Sequence, residues 1–340
     1  MIKIDGSLGE GGGQVLRSSL ALSIITEQPF EIYNIRARRK KPGLQPQHLK
    51  CVEAAAAISQ AETDGAALGS TRLVFKPGKA VAGDYHIDIG TAGSTSLVLQ
   101  TIYLPLAFLQ TESNIIITGG THVPWSPVFH YLEFQWLPVL EQIGFDMKLS
   151  LQQAGFYPKG GGKIASQIRP VSELKNIELT ERGKLQQIWG ISAAANLNAS
   201  IIERQKAQMQ RRLSRKNIEC DIRNETMPSR WKNTMALLFA QFENGSGCFT
   251  ALGAVGKRAE KVADEAFTGL SEYLYTSGCV DKYLADQLLL PLAFATGKSR
   301  YSTSKITQHL LTNRDVIRPF TDIEIHIKGN PGQEGVVHIG

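Results

Sequence analysis

The residues best suited to chemistry lie between positions 283 and 313. Tyr283-Leu284-Ala285-Asp286-Gln287 leads into an apolar run, residues 288–295, then a polar break, Thr296-Gly297-Lys298-Ser299-Arg300. A β-rich run over 301–307 follows and delivers Gln308-His309-Leu310-Leu311-Thr312-Asn313. The pattern predicts His309 at the end of a strand, just before a helix start. An imidazole there is a competent nucleophile, because much of it is uncharged near neutral pH. Tyr283, Asp286 and Gln287 open the preceding helix, so their polar groups can face the same cleft. The other reading of His309 is a lone histidine satisfied by a backbone carbonyl.

Two further groups can meet phosphate. Glu10 stands among Gly9, Gly11, Gly12 and Gly13. A carboxylate in such a loop could hold Mg²⁺ or Mn²⁺, since hard cations prefer oxygen ligands. It could equally be a solvated turn residue. The same glycines let backbone N–H groups approach an anion. The loop lacks the Gly-Lys-Ser/Thr ending of a Walker A motif, and no ribose-binding acid follows it as in a Rossmann fingerprint. Arg17, Arg36, Arg38, Arg39, Lys40 and Lys41 form a dense basic group. Arginine suits bidentate phosphate contacts and lysine suits point-charge ones. A solvated basic turn is the alternative for any one of them.

These groups need elements to position them. A polar or glycine-rich loop, an apolar helix and a strand recur three times: 9–14, 15–25 and 30–35; then 90–94, 97–108 and 114–118; then 283–287, 288–295 and 302–306. Such self-similarity predicts repeated supersecondary units sharing one core. Second helices are expected over 47–60 and 127–143, with a third beginning over 313–320. Strands are expected at 72–75, 145–151 and 323–327, the last alternating apolar and polar. The fold class is therefore α+β or α/β, short sheets on paired helices. An insertion interrupts the third repeat. It begins near the turn-like Glu181-Arg182-Gly183-Lys184 and ends at Ser277-Gly278. It contains a basic helix over 199–217, strands over 235–243 and 248–252 around Asn244-Gly245-Ser246-Gly247, and a helix over 259–274. The expected domains are 1–183 with 278–340, and an inserted small α/β domain over 184–277.

Composition sets the remaining bounds. The 340 residues include 42% hydrophobic and 20% charged side chains, ordinary for a globular protein. The net charge of +6 suits a polyanionic partner. Cys51, Cys220, Cys248 and Cys279 are scattered and form no C-x-x-C pair, so neither a zinc site nor a disulfide framework is expected. The first residues read as a strand with no signal pattern, and no apolar run approaches the roughly 18 residues that span a membrane. A reducing cytoplasm and no membrane partner are the expectation.

Several long motifs, in order, resemble the RNA 3′-terminal phosphate cyclases. They are Asp5-Gly6-Ser7-Leu8-Gly9-Glu10-Gly11-Gly12-Gly13-Gln14-Val15-Leu16-Arg17, Lys41-Pro42-Gly43-Leu44, Gln47-His48-Leu49, Gly155-Phe156-Tyr157-Pro158-Lys159-Gly160-Gly161-Gly162, 283–287 and 309–313. The similarity spans nearly the whole chain and is weakest over about 185–277. It implies three βαβαββ units with a smaller inserted α/β domain. It also implies ATP-dependent conversion of an RNA 3′-phosphate into a 2′,3′-cyclic phosphodiester through a covalent adenylyl-histidine at His309. Gln100, Pro127, Tyr283, Asp286 and Gln287 match positions that hold the adenylate. Arg17, Arg36, Arg39 and Gln47 match positions that line the path to the RNA end or the triphosphate. Arg38 departs from the smaller residue expected there. The set makes physical sense: tyrosine can stack on a purine, glutamine can bond an adenine edge, Asp286 can bond a ribose hydroxyl or orient His309, and Pro127 offers an apolar wall. Gln100 lies in an apolar helix and needs a partner if buried. His48 is the competing nucleophile. Two other readings share the scaffold: a cyclase-like ribosome assembly factor without the chemistry, and an enolpyruvyl transferase, which finds no support in 283–313.

Overall fold

The computed structural model describes all 340 residues. Three units share one topology. The first runs β1 (Ile2–Asp5), α1 (Gly13–Thr26), β2 (Phe30–Tyr33), α2 (Pro46–Ser59), β3 (Glu62–Asp64) and β4 (Leu73–Lys76). The second runs β5 (Asp84–Asp88), α3 (Thr95–Ala107), β6 (Ser113–Gly119), a broken helix, β7 (Met147–Gln153) and β8 (Gly162–Ile168). The broken helix consists of α4 (Phe129–Tyr131), a π-helical turn (Leu132–Trp136) and α5 (Leu137–Gln142). The third opens with β9 (Glu178–Leu179) and is then interrupted.

The interruption comprises β10 (Leu185–Ala195), α6 (Ala199–Ser214), β11 (Asp221–Thr226), β12 (Asn233–Phe242), β13 (Ser246–Leu252) and α7 (Ala259–Leu274). The third unit resumes with α8 (Leu284–Gln287), α9 (Leu289–Leu292), β14 (Ser299–Thr303), α10 (Gln308–Ile317), β15 (Ile325–Gly329) and β16 (Gly335–Ile339). The three sheets are ordered β1-β2-β4-β3, β5-β6-β8-β7 and β9-β14-β16-β15. In each, the first two strands are parallel and the last two antiparallel. Each is a βαβαββ unit, and the insertion sits inside the third unit's first crossover.

Burial explains the layering. Strand β8 alternates buried and half-buried residues along its length, the period-2 pattern of a sheet with one face on the core. Helices α1 and α3 are buried almost all round, so they lie inside, between the sheets. Their small and β-branched residues let α1 pack against both α3 and α10.

The insertion's central strand β12, Asn-Thr-Met-Ala-Leu-Leu-Phe-Ala-Gln-Phe, is apolar on both faces. Met235, Leu237 and Phe239 join the 69-residue main core. Ala236, Leu238, Ala240 and Phe242 join a second cluster of 16 residues under α6 and α7. The inserted sheet thus has a core of its own and also covers part of the main one. Ile188 and Ala193 of β10 divide in the same way.

One helix start and one strand end beside His309 differ from the sequence reading. The third unit's second helix starts at Gln308, not Asn313, so His309 is inside its first turn. Thr307 caps it, its hydroxyl accepting from the Leu310 amide at 3.1 Å. The preceding strand ends at Thr303, because the Thr303 hydroxyl accepts from the Lys305 amide and turns the chain. Strand β11 leaves little trace in the sequence, since its polar outer residues mask the alternation, and most of β10 is a buried run with no alternation to read. No helix is long and apolar enough to cross a membrane.

Candidate active site

The glycine loop joins β1 to α1 and is wedged between two other helices. Gly9 and Gly11 adopt φ values of +56° and +55°, which other residues rarely take. A side chain at Gly9 would overlap Thr312 of α10, and one at Gly13 would overlap the His48 ring of α2. The loop is therefore glycine-rich because helices from the first and third units close on it. Glu10 emerges from it half-exposed. Its Oε2 lies 3.1 Å from an Arg39 guanidinium nitrogen and 3.4 Å from His309 Nε2. The three residues come from the β1–α1 loop, the β2–α2 loop and α10.

Burial lowers the pKa of His309, and Arg17 and Arg39 push the same way while Glu10 opposes them. Deprotonated, neutral imidazole is the favoured form. His309 also sits at the N-terminal end of α10, whose dipole disfavours a cation and favours an anion. His48 is held down to about 3 by burial, Arg17 and Arg36. It is neutral as well, but it is occupied. Its Nδ1 accepts from the Gln45 amide at 3.2 Å in the N-terminal cap of α2.

A buried polar network fixes α10 against α1 and α8. Gln14 Nε2 donates to Asp286 Oδ2 at 2.9 Å and to the His309 carbonyl at 3.2 Å. Asn313 Nδ2 donates to the Asp286 carbonyl at 2.8 Å, and the Ser18 hydroxyl donates to Asn313 Oδ1 at 2.6 Å. Burial raises the Asp286 carboxyl to about 7, with Arg17 opposing. A second chain runs alongside. Gln100 Nε2 donates to Gln287 Oε1 at 2.6 Å, and Gln287 Nε2 donates to the Tyr283 carbonyl at 2.7 Å. The partner that Gln100 needs is thus Gln287. Tyr283 is half-exposed, with its ring edge-on to Tyr131 at 6.4 Å.

The remaining expected residues are less tightly gathered. Gln47 Oε1 accepts from the Ser94 amide at 3.0 Å, joining α2 to the loop before α3. Arg36 spends its guanidinium on the Lys41 and Gly43 carbonyls at 2.6 and 3.3 Å. It shapes the basic turn from a left-handed backbone position, φ +55°. Pro127 lies in the loop before α4. No group of three or more His, Cys, Asp or Glu side chains could by itself hold a metal ion. A lone Glu10 fits a cation such as Mg²⁺, which takes one or two carboxylates and completes its shell with phosphate oxygens and water.

Sequence reasoning missed three supports. Gln14 is one, although a polar residue on an apolar helix is the same signal that marks Gln100. Asp281 is another. It is fully buried and accepts from the Tyr283 and Leu284 amides at 2.8 and 2.9 Å, from Tyr131 Oη at 2.9 Å and from the Cys248 amide at 3.2 Å. It caps the first turn of α8 from outside the N-cap residue, Tyr283, through the Tyr283 and Leu284 amides. The third is a buried relay: Thr121 Oγ1 to His122 Nδ1 at 2.7 Å, His122 Nε2 to His130 Nδ1 at 2.8 Å, and His130 Nε2 to Glu225 Oε1 at 2.8 Å. It pins both ends of the loop carrying Pro127 to β11 of the insertion. Nothing in the local sequence pairs residues so far apart.

The family model of the RNA 3′-terminal phosphate cyclases matches residues 8–327. The chain belongs to the RNA 3′-terminal phosphate cyclase family. The cyclase of Caldivirga maquilingensis is 44% identical over 96% of this chain and 94% of its own length. That of Nostoc punctiforme is 43% identical over 96% of each, and that of Archaeoglobus fulgidus 40% identical over 97% and 98%. Membership in this enzyme family agrees with the repeated-unit fold above. A solved structure, the enolpyruvyl transferase NikO from Streptomyces tendae, aligns over 51% of this chain and 33% of that one at 12% identity. Its TM-score of 0.30 is too low to bear on fold or chemistry.

Proposed function

We propose that this protein converts an RNA 3′-terminal phosphate into a 2′,3′-cyclic phosphodiester at the expense of ATP, with His309 as nucleophile. The observation that carries the reading is His309 Nε2 3.4 Å from Glu10, whose carboxylate also meets Arg39 at 3.1 Å, in a chain of this family. In the first step a ring nitrogen of His309 attacks the α-phosphorus of ATP. An N–P bond forms, the α–β P–O bond breaks, and pyrophosphate leaves. In the second, an oxygen of the RNA 3′-phosphate attacks that phosphorus, and His309 departs neutral, leaving an RNA–(3′)pp(5′)A end. In the third, the adjacent 2′-OH attacks the 3′-phosphorus, AMP leaves, and the hydroxyl proton passes to water. The last step asks for positioning above all, since well-oriented neighbours reach effective molarities of roughly 10⁵–10⁸ M.

A Mg²⁺ or Mn²⁺ ion at Glu10 would neutralise phosphate charge at the first two steps. Arg39 and Arg17 supply fixed positive charge on the same side. Tyr283, Gln287 and Gln100 hold the adenine and ribose, with Asp286 at a ribose hydroxyl and Pro127 as the apolar wall. Gln47 and Arg36 border the RNA end, Arg36 through the shape of its turn. The reaction takes place without a membrane and uses solutes of the cytoplasm.

The test is incubation with α-labelled ATP and metal. Wild type should carry acid-labile label on the protein. His309→Ala and His309→Asn should carry none, yet both should close a chemically pre-adenylylated RNA end. Covalent AMP accumulating in either variant at the wild-type rate would move the nucleophile elsewhere, first to His48.

A further inference from the structure

The Gly155–Gly162 motif has no part in the site just described, but its place in the fold is informative. It forms a tight hairpin between β7 and β8, closed by the Gly160 amide donating to the Phe156 carbonyl at 2.7 Å. The inner side of the hairpin packs on the loop before α3. Gly160, at φ +69°, lies against Thr91 and Ala92 so closely that a Cβ there would come within 2.7 Å of the Thr91 carbonyl. That loop continues to Ser94, which bonds Gln47.

The outer side carries an aromatic plane from the insertion. Gly161, at φ +72°, lies under the Trp231 indole, and a Cβ there would be 3.1 Å from Nε1. Lys159 Nζ lies 5.6 Å from the Trp231 ring centre. The Trp231 segment is fixed in place. The Ala154 amide donates to the Pro228 carbonyl at 2.7 Å, the Ser229 hydroxyl donates to the Ala154 carbonyl at 2.8 Å, and the Trp231 amide donates to Ser229 Oγ at 3.1 Å. Despite this anchoring, Trp231 is 41% exposed, and Tyr157 on the hairpin is 68% exposed. Lys159, Arg230 and Lys232 are exposed beside them, and none pairs with a carboxylate.

We infer that this seam between hairpin and insertion is a binding track for single-stranded RNA upstream of its 3′ end. A base stacks on Trp231, and Lys159, Arg230 and Lys232 neutralise neighbouring phosphates. An aromatic face flanked by unpaired cations is how sequence-tolerant single-strand sites are built. The track is contiguous with Gln47 through Gly160, Ala92 and Ser94, so a strand lying on it leads its end toward Gln47. The surface rests on the reaction proposed above. It assigns the insertion to the body of the substrate, which it holds while the repeats act on the terminus.

Binding is read directly, by fluorescence anisotropy of a labelled RNA of about twelve nucleotides ending in a 3′-phosphate. Trp231→Ala should weaken binding roughly 5- to 100-fold, the range for one lost base stack. Trp231→Phe should retain most of it, and Lys159→Ala should flatten the salt dependence. A dinucleotide 3′-phosphate, too short to reach the track, should bind both proteins alike, and label transfer from ATP should be unchanged. The inference is overturned if Trp231→Ala and Lys159→Ala bind the long RNA as wild type does, if the dinucleotide loses as much, or if wild type does not bind the long RNA. Trp231-dependent RNA binding by a wild-type protein that takes no label from ATP would leave the track standing and remove the reaction.

Discussion

Asp281 offers the sharpest test of how the site is held. Its carboxylate is fully buried and meets four donors: the Tyr283 and Leu284 amides, Tyr131 Oη and the Cys248 amide. Burial pushes its pKa up, and the surrounding donors work against that rise. Asp281→Ala removes the cap of α8, a loss of about 1 kcal/mol. It also leaves the other donors buried without a partner, at roughly 1–3 kcal/mol each, reduced where water enters the space left behind. A total of roughly 3–6 kcal/mol follows, a fall in Tm of about 4–8 °C for a chain of this size. Asp281→Asn keeps one acceptor oxygen and should lose about half as much. Because α8 carries Tyr283, Asp286 and Gln287, the Ala variant should also bind ATP more weakly at temperatures well below its own Tm. Tyr131→Phe removes a single donor, should cost about 1 kcal/mol, and should leave ATP affinity alone. The measurements are thermal unfolding and nucleotide titration on all four proteins. An Ala variant melting within about 2 °C of wild type, with ATP affinity intact, would show that α8 does not depend on this cap.

Other expectations concern neighbouring groups. The Asp286 carboxyl has an ordinary value of 3.8 and is raised to about 7 by burial, so the folded state binds its proton more tightly than the unfolded state does. That contribution is present below pH 4 and is lost as pH rises through about 7, so Asp286→Asn should flatten the decline in Tm between those limits. Glu10→Ala should raise the metal concentration needed for label transfer and slow it by roughly several kcal/mol of barrier. It should also move the acid limb of the rate to lower pH, because Glu10 favours the protonated His309; unchanged metal dependence would remove Glu10 as a ligand. We also propose 184–277 as a distinct domain, with proteolysis cutting first at the exposed 183–187 segment. Ser277 is tied to Glu334 through its amide at 2.9 Å and Gly278 is buried, so a first cut there would contradict that order.

The repeats are legible because each glycine or polar loop, apolar helix and strand has its own local period. The glycine loop, Gln100 and the 283–313 stretch stand out because polar residues interrupt apolar patterns there. Other features carry no local mark. The sequence pattern places His309 before its helix rather than in its first turn, because Ile306 and Thr307 favour strands and the capping hydroxyl of Thr307 decides otherwise. Arg36 looks like a phosphate ligand by type, yet its left-handed backbone turns the guanidinium onto carbonyls of its own loop. The His122–His130–Glu225 relay joins residues 95 positions apart, a distance over which spacing carries no signal.

The position of the insertion sets an order of assembly. In the second unit the first parallel pair of strands joins residues 30 apart, as Asp84 and Asn114 do. In the third unit Glu178 meets Arg300, 122 residues away. Two doublings of loop length add about 1.2 kcal/mol of closure entropy to that pairing. The folded insertion offsets it, since Arg182 bonds the Tyr273 and Thr276 carbonyls and holds the two ends of the segment together. A chain emerging from the ribosome can complete its first two units early, but β9 waits for the insertion to close before β14 reaches it. Helix α10, with His309, comes after both, so a stalled or truncated chain lacks both the imidazole that would react with ATP and the helix that closes on the glycine loop.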